Sequence, residues 1–362
     1  MSCYITRTSS FLPGPAIANN EIEQHLGTLP DEAETKATVL AMNGIQTRHY
    51  AQDENQQPTH DVYELAYQAI VNCLGAEQLS SPISMLATGT TYSPLFAPGA
   101  ASILHSRLRD RTETNHPMEI SSHGGICSSA AAALVNAIRA VSAGEHQTAL
   151  CVGADHPSQI LKASEIRPID DRREHSQLRN SQWFMSVFLR FMLSDGAGAM
   201  VLQDSPDSNQ LSLKVNWTHS LSFAHATELC MKLDSKTALL SQNLMVLSRF
   251  LFPCGERFLR HALDRHDDSL DNYRVILPHL SSFFFRKKFE RAIKNSSADA
   301  DHPTPYWTNL ATAGNTGAAS IYIMLDEFLR LNSLQHGERV LLFVPESGQF
   351  NYVLISLTAV AP

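Results

Sequence analysis

The stretch SSHGGICSSAAAAL (121–134) sets a single cysteine between a glycine pair and an alanine run with the composition of a helix start. A thiolate is the reactive form of cysteine, and an ordinary thiol titrates near about 8.5. Unpaired backbone N–H groups and the positive end of a helix dipole favour a charged sulfur, and such settings can lower the pKa to roughly 3.5–7.5. Cys127 is therefore a candidate nucleophile, with Gly124 and Gly125 permitting a tight turn and close substrate approach. The competing reading is a small side chain that lets a helix entrance pack closely. His279, in YRVILPHLSSFFFRKKF (273–289), falls just past the end of an apolar run, where open α/β sheets bind ligands. It reads either as a structural histidine or as a reacting group, with the following serines able to cap a helix or orient the ring. Asn315, in ATAGNTGAAS (311–320), reads as a turn or cap residue, or as an amide donor aimed at a developing oxyanion. Together, a cysteine nucleophile, a histidine and an asparagine donor suit acyl transfer followed by carbon–carbon bond formation.

These residues need elements to hold them. HDVYELAYQAIVNCLG (60–75) has apolar residues three and four apart and predicts a helix stopped by Gly75; ISMLATGTT (83–91) predicts a buried strand. AAAALVNAIRAVSAGE and TALCVGAD (148–155) predict a second helix and a second strand, and FMLSDGAGAMVLQD (191–204) a pair of strands around a small-residue turn. Strands alternating with helices predict an α/β fold. The segment from ICSSAAAAL to CVGAD (126–155) is echoed by NTGAASIYIMLDEFLRLNSLQHGERVLLFVPES (315–347): small-residue entrance, amphipathic helix, GE turn, buried strand, acidic end. The echo predicts two related halves, residues 1–205 and 206–362, divided at the polar QDSPDSNQ (203–210), with the helix entrances at Cys127 and Asn315 meeting at a pseudo-twofold axis. SEIRPIDDRREHSQLRNSQ (164–182) is polar and reads as a solvated loop or as a cap over a site or partner subunit.

The 362 residues carry a net charge of −8, which excludes a general nucleic-acid binder. The opening MSCYITRTSSFLPG alternates like a first strand rather than a signal peptide. The most apolar segment, WFMSVFLRFML, is shorter than the roughly 20 residues a membrane span needs. The six scattered cysteines form no CxxC pair, so neither a zinc site nor a disulfide framework is expected, and five of them read as buried small hydrophobes; no metal or cofactor is expected. The expected setting is the cytoplasm, with reduced thiols.

The ordered series GGICSSAAAAL (124–134), CVGAD (151–155), LSDGAGAMVL (193–202), LPHLSS (277–282) and AGNTGAAS (313–320) resembles the thiolase superfamily, specifically its β-ketoacyl-acyl carrier protein synthase III branch, nearly end to end. The resemblance implies a five-layered α-β-α-β-α fold built from two pseudo-symmetric halves, usually as a homodimer, acting on acyl carrier protein or coenzyme A thioesters. It implies that Cys127 is acylated, that His279 and Asn315 form the decarboxylation pair, and that the backbone N–H groups of Cys127 and Gly348 form the oxyanion hole. The Trp and Arg with which typical members hold the adenine of coenzyme A have no counterpart in KATVLAMNGI (36–45), PHQAN becomes PHLSS, and the glycine-rich C-terminal turn becomes PESGQF (345–350). These departures resemble the specialised branch that makes dialkylresorcinols, cyclohexanediones and pyrones by joining two acyl chains. The other activities weighed are acyl transfer to an oxygen or nitrogen nucleophile, and a non-catalytic dimer subunit. The intact Cys127, His279 and Asn315 favour condensation.

FFFRKKFERAIK (283–294) directly follows His279 and carries Arg286, Lys287, Lys288, Arg291 and Lys294. It reads as a solvated helix face or as a docking patch for an acidic acyl carrier protein, where charge would raise the association rate and be screened by salt. Reversing charge at Lys287 and Lys288 is expected to raise KM for carrier-protein thioesters more than for small thioesters. An equal effect on both would return the patch to a plain solvated face.

Overall fold

Alternation at period two assigns every core strand an inner and an outer face, and the fold follows from how those faces are covered. A computed structural model describes residues 1–29, 32–75, 79, 81–166, 185, 187–235 and 239–362. Its main sheet has nine strands: β1 (Tyr4–Phe11), β2 (Met85–Thr90), β3 (Glu119–Gly124), β4 (Thr148–Asp155), β5 (Gly196–Gln203), β6 (Ser212–Ser222), β7 (Val275–Pro278), β8 (Arg339–Pro345) and β9 (Asn351–Val360). They lie in the order β7-β8-β9-β6-β1-β5-β4-β2-β3. The pairing pattern is repeated. In the first half β2 is parallel to β4, β4 antiparallel to β5, and β5 antiparallel to β1. In the second half β7 is parallel to β8, β8 antiparallel to β9, and β9 antiparallel to β6. A parallel bridge from Ile276 to Tyr306 stands where β3 pairs with β2 in the first half. The two halves join through a short β1–β6 contact, Tyr4 opposite Lys214 and Ile5 opposite Leu213.

The helices that cover this framework include α1 (Val62–Leu74), α2 (Ser129–Ala143), α3 (Leu244–His266), α4 (Arg286–Ser296) and α5 (Ser320–Leu331). Helix α1 begins where the Asp61 carboxylate accepts the Glu64 N–H, an N-cap worth about 1 kcal/mol, and stops at Gly75, whose φ of 60° suits glycine. Three apolar cores separate the layers. Leu86, Leu150, Val152 and Ala199 face α1, while their neighbours Met85, Ala87, Cys151 and Met200 face the central helices α2 and α5. In the second half Val340, Leu342, Val353 and Ile355 face the same central layer, and Leu341, Phe343, Tyr352 and Leu354 face α3 and α4. The sequence of layers is helix, sheet half, paired central helices, sheet half, helix, as expected.

The central layer is tight. A Cβ on Gly89 would lie 2.2 Å from the Ala130 Cα, so β2 and the first turn of α2 touch backbone to backbone. On the far side the Tyr322 hydroxyl of α5 donates to the Ala130 carbonyl at 2.9 Å, so the two helix entrances meet as the echo predicted.

One expectation is corrected. FMLSDGAGAMVLQD is not a pair of strands around a turn: Gly196–Gln203 forms one eight-residue strand, and its small residues admit α5 rather than a reversal. A Cβ on Gly198 would stand 2.5 Å from the Tyr322 Cβ. Most of 164–182 lies outside the described residues. Among the described residues no helix is long and apolar enough to cross a membrane.

Because the atom opposite Gly89 belongs to a helix backbone, it cannot swing aside as a side chain would. Gly89→Ala is expected to cost at least about 3 kcal/mol, the upper end for overpacking, and to lower the urea midpoint. An unchanged midpoint would show that α2 does not lie this close to β2.

Candidate active site

Cys127 occupies the turn between β3 and α2, two residues before the helix, and is 9% exposed. Its thiol titrates above the ordinary value, the opposite of what a helix entrance alone suggests. Burial is the largest cause, followed by the charges of Glu346 and Asp155. The helix start is present, but two carboxylates and an apolar surround outweigh it. The resting site therefore holds a neutral thiol.

His279 follows β7 and is held by its backbone N–H, which donates to the Phe343 carbonyl at 2.8 Å. The side chain is 3% exposed, and neither ring nitrogen has a hydrogen-bond partner among the described residues. Buried polar atoms are rarely left unpaired, so two orphaned nitrogens on one ring mark a place where something else binds. Burial pushes the imidazole down to about 4. It is neutral at pH 7, with one N–H to donate and one lone pair to accept. The neighbouring Ser282 does not orient the ring: its hydroxyl accepts the Phe284 N–H and caps a short 3-10 turn.

Cys127 and His279 line one cavity of about 860 Å³, its open mouth included. Its walls are largely apolar, drawn from α3, α4 and the outer face of β8 and β9, with Phe285, Phe289 and Phe343 prominent. Its polar lining includes Glu256, Ser281 and Ser347, and no lysine or arginine among the described residues. Within that wall Gly255 of α3 packs on the Tyr352 ring, whose hydroxyl donates to the Leu251 carbonyl at 2.6 Å. A smaller apolar cavity reaches Cys127 from the other side, past Thr91, Ile126, Asp155 and Gly317.

Asn315 lines neither cavity. It is 2% exposed, its backbone N–H donates to the Met192 carbonyl at 3.2 Å, and its carbonyl accepts from Ser194 N–H at 2.8 Å. Its Oδ1 accepts the Gly317 N–H at 3.0 Å, so the turn role is real and the amide nitrogen is the group left to donate. Gly317 in turn borders the smaller cavity. The structure thus places Cys127 and His279 on one cavity and Asn315 one turn away, beside the second. Gly348 packs on the residue before the cysteine: a Cβ there would stand 3.0 Å from Ile126 Cγ1. Arg286, Lys287, Lys288, Arg291 and Lys294 are exposed on α4, while Phe289, Ala292 and Ile293 on its opposite face line the larger cavity. Arg286 is partly committed to Glu290 at 2.9 Å.

Sequence reasoning passed over two carboxylates. Asp155 at the end of β4 accepts the Thr91 N–H at 2.7 Å and the Ala318 N–H at 2.6 Å, beside the entrance of α5. Burial nevertheless raises it to about 6. Glu346, just past β8, accepts from the Ser128 hydroxyl beside the entrance of α2. The signal was in the echo, where both strands were read as having acidic ends.

With this geometry in place, the likenesses to known proteins can be stated. Residues 122–208 match the family described as beta-ketoacyl synthase, N-terminal domain. The β-ketoacyl-[acyl-carrier-protein] synthase III of Clostridium kluyveri is 22% identical, covering 93% of each chain. The tetronic acid condensing enzyme AbyA1 superposes with a TM-score of 0.76 at 20% identity, covering 98% of this chain and 99% of that one. OleA of Xanthomonas campestris gives 0.77 at 18%, covering 99% and 98%. The chain has the thiolase-like α/β fold of these synthases.

His279 binds protons less readily when folded than the usual 6.5, so between about pH 6.5 and 4 the unfolded chain carries the extra proton. Unfolding is then favoured as pH falls through that window, and stability rises as pH rises through it. Asp155, raised above its usual 3.8 to about 6, contributes the opposite slope, so His279 is read by difference. His279→Asn is expected to lose less stability than wild type between pH 6.5 and 4 in urea titrations. Parallel losses would mean that the ring is not buried in the neutral form.

Proposed function

We propose that this chain is a ketosynthase that takes an acyl group on Cys127 and joins it to a second acyl thioester by Claisen-type condensation. The observation that carries this reading is the shared cavity: a cysteine and a histidine with two unpartnered nitrogens at the end of an apolar pocket. In acylation the Cys127 sulfur attacks the donor carbonyl, its proton passes to the departing thiol, and the tetrahedral oxyanion rests on the backbone N–H groups of Cys127 and Gly348. In condensation the carbonyl oxygen of the second thioester is held by His279 and the Asn315 amide nitrogen. Charge develops there as the malonyl-type unit loses carbon dioxide, the electrons of the broken C–C bond forming the enolate. The enolate carbon bonds to the Cys127 thioester carbonyl, the C–S bond breaks, and the sulfur leaves as thiolate.

Finer features follow from the same reading. Two apolar cavities meeting at Cys127 support the specialised branch that joins two acyl chains, in secondary metabolism rather than housekeeping fatty-acid synthesis. The cations of α4, standing over the helix face that lines the larger cavity, support docking of an acidic acyl carrier protein. The edge strand β3 is largely exposed, and Leu95 and Phe96 project nearby at 46% and 93% exposure. Their exposure supports a homodimer in which a second copy covers them. The repeated strand pairing supports a division into halves near residue 205.

Intact mass after mixing with acyl-carrier-protein and acyl-coenzyme A donors is expected to show one acyl adduct, absent from Cys127→Ala. Asn315→Ala is expected to acylate at close to the wild-type rate but to lose about 100- to 1000-fold in condensation, the usual cost of one oxyanion donor. Equal loss of both steps would end the division of roles. An ester or amide product, rather than a new carbon–carbon bond, would replace condensation by simple acyl transfer.

A further inference from the structure

The turn 345–350 does more than supply Gly348. Its side chains alternate: Pro345 and Ser347 face the larger cavity, while Glu346 points away from it toward the cysteine turn and is 4% exposed. One carboxylate oxygen accepts from the Ser128 hydroxyl, one residue past Cys127, and stands 3.8 Å from where a Cβ on Gly125 would lie. The other accepts from the Asn351 amide at 3.1 Å and lies 2.7 Å from where a Cβ on Gly348 would lie. Glu346 has no cationic partner among the described residues. One buried carboxylate thus spans the two segments whose backbone N–H groups must converge on the same oxyanion.

We propose that Glu346 is a positioning residue that holds the Cys127 turn and the Gly348 turn in register for the bound acyl group. This rests on the acylation of Cys127 proposed above. Donors to an oxyanion lose most of their effect when displaced by about 1 Å, which costs roughly 100-fold in rate, so a tie across both segments is worth keeping even at the expense of burying a charge. The same charge has a second effect. It is among the causes that raise the thiol above its ordinary value. Among the described residues, the charges that act on Cys127 are Glu346 and Asp155; Glu256, His279 and Tyr352 line the larger cavity with it, and Asp155, His156 and Tyr92 the smaller. Of these, Glu346 alone contacts both the cysteine turn and the Gly348 turn.

Glu346→Gln removes the charge and keeps the shape; with the Asn351 amide turned over, both hydrogen bonds can persist. Glu346→Ala removes charge and tie together. Two measurements on the full chain separate these effects: the pH profile of iodoacetamide alkylation at Cys127, followed by peptide mass, and the single-turnover rate of acylation by an acyl thioester. The profile is expected to move down by about one pH unit or more in both variants, as removal of a like charge requires. Acylation is expected to fall roughly 10- to 100-fold in Glu346→Ala but to stay near wild type in Glu346→Gln. Wild-type acylation by Glu346→Ala overturns the positioning role, and a Glu346→Gln profile that overlays wild type overturns the charge effect. Should Glu346→Ala fail to fold, Ser128→Ala removes the tie from the cysteine turn's side, and wild-type acylation by that variant overturns the positioning role in its place. If the wild-type chain accepts no acyl group at all, the condensing function fails, whereas the alkylation profile still reports whether Glu346 acts on Cys127.

Discussion

The site depends on how closely the first turn of α2 lies against β2. That contact is between backbones, made possible by Gly89 on the strand and Ala130 on the helix. Close-packed interiors do not deform continuously, so a helix start seated against a strand fixes the residues just before it. Cys127 is one of those residues. The Tyr322 hydroxyl seats the same turn from the other half by donating to the Ala130 carbonyl, so the turn that carries Cys127 is held from both sides of the pseudo-twofold axis.

A second exchange runs across that axis. Asp155, at the end of a first-half strand, accepts the Ala318 N–H beside the entrance of the second-half helix α5. Glu346, just past a second-half strand, binds Ser128 beside the entrance of the first-half helix α2. Each half thus uses its acidic strand end to close the other half's helix entrance. Burying two carboxylates is costly, and the cost shows in the raised Asp155 and in a thiol held neutral. With His279 also neutral, the resting site is an uncharged cysteine and imidazole rather than an ion pair. An uncharged pair suits the end of an apolar cavity, where a thiolate and an imidazolium would both need desolvating.

Helix α4 joins two properties that are separate in the sequence. Its apolar residues 289, 292 and 293 wall the cavity, and its exposed cations stand on the reverse face. A carrier protein held by those cations would sit over the wall behind which its acyl chain is to be placed. The cavity itself lacks a cation among the described residues, which suits a neutral acyl chain throughout its length.

Much was legible in the chain itself. The strands at 83–91 and 148–155 followed from their apolar runs, and α1 from its three-and-four spacing and Gly75 stop, because each depends on neighbours a few residues away; the pairing of halves followed from the echo of 126–155 in 315–347. The small residues of 196–203 misled, since glycine serves a turn and a close helix contact equally well, and only the presence of Tyr322 distinguishes them. Glu346 was visible merely as an acidic strand end. By itself the sequence determined which residues are candidates for chemistry and which local elements hold them, since propensity, capping and periodicity are short-range. The tertiary structure alone decided that Cys127, His279 and Glu346 converge across more than 200 residues of chain, and that the thiol is raised rather than lowered, because burial and the field of distant carboxylates exist only once the halves have packed.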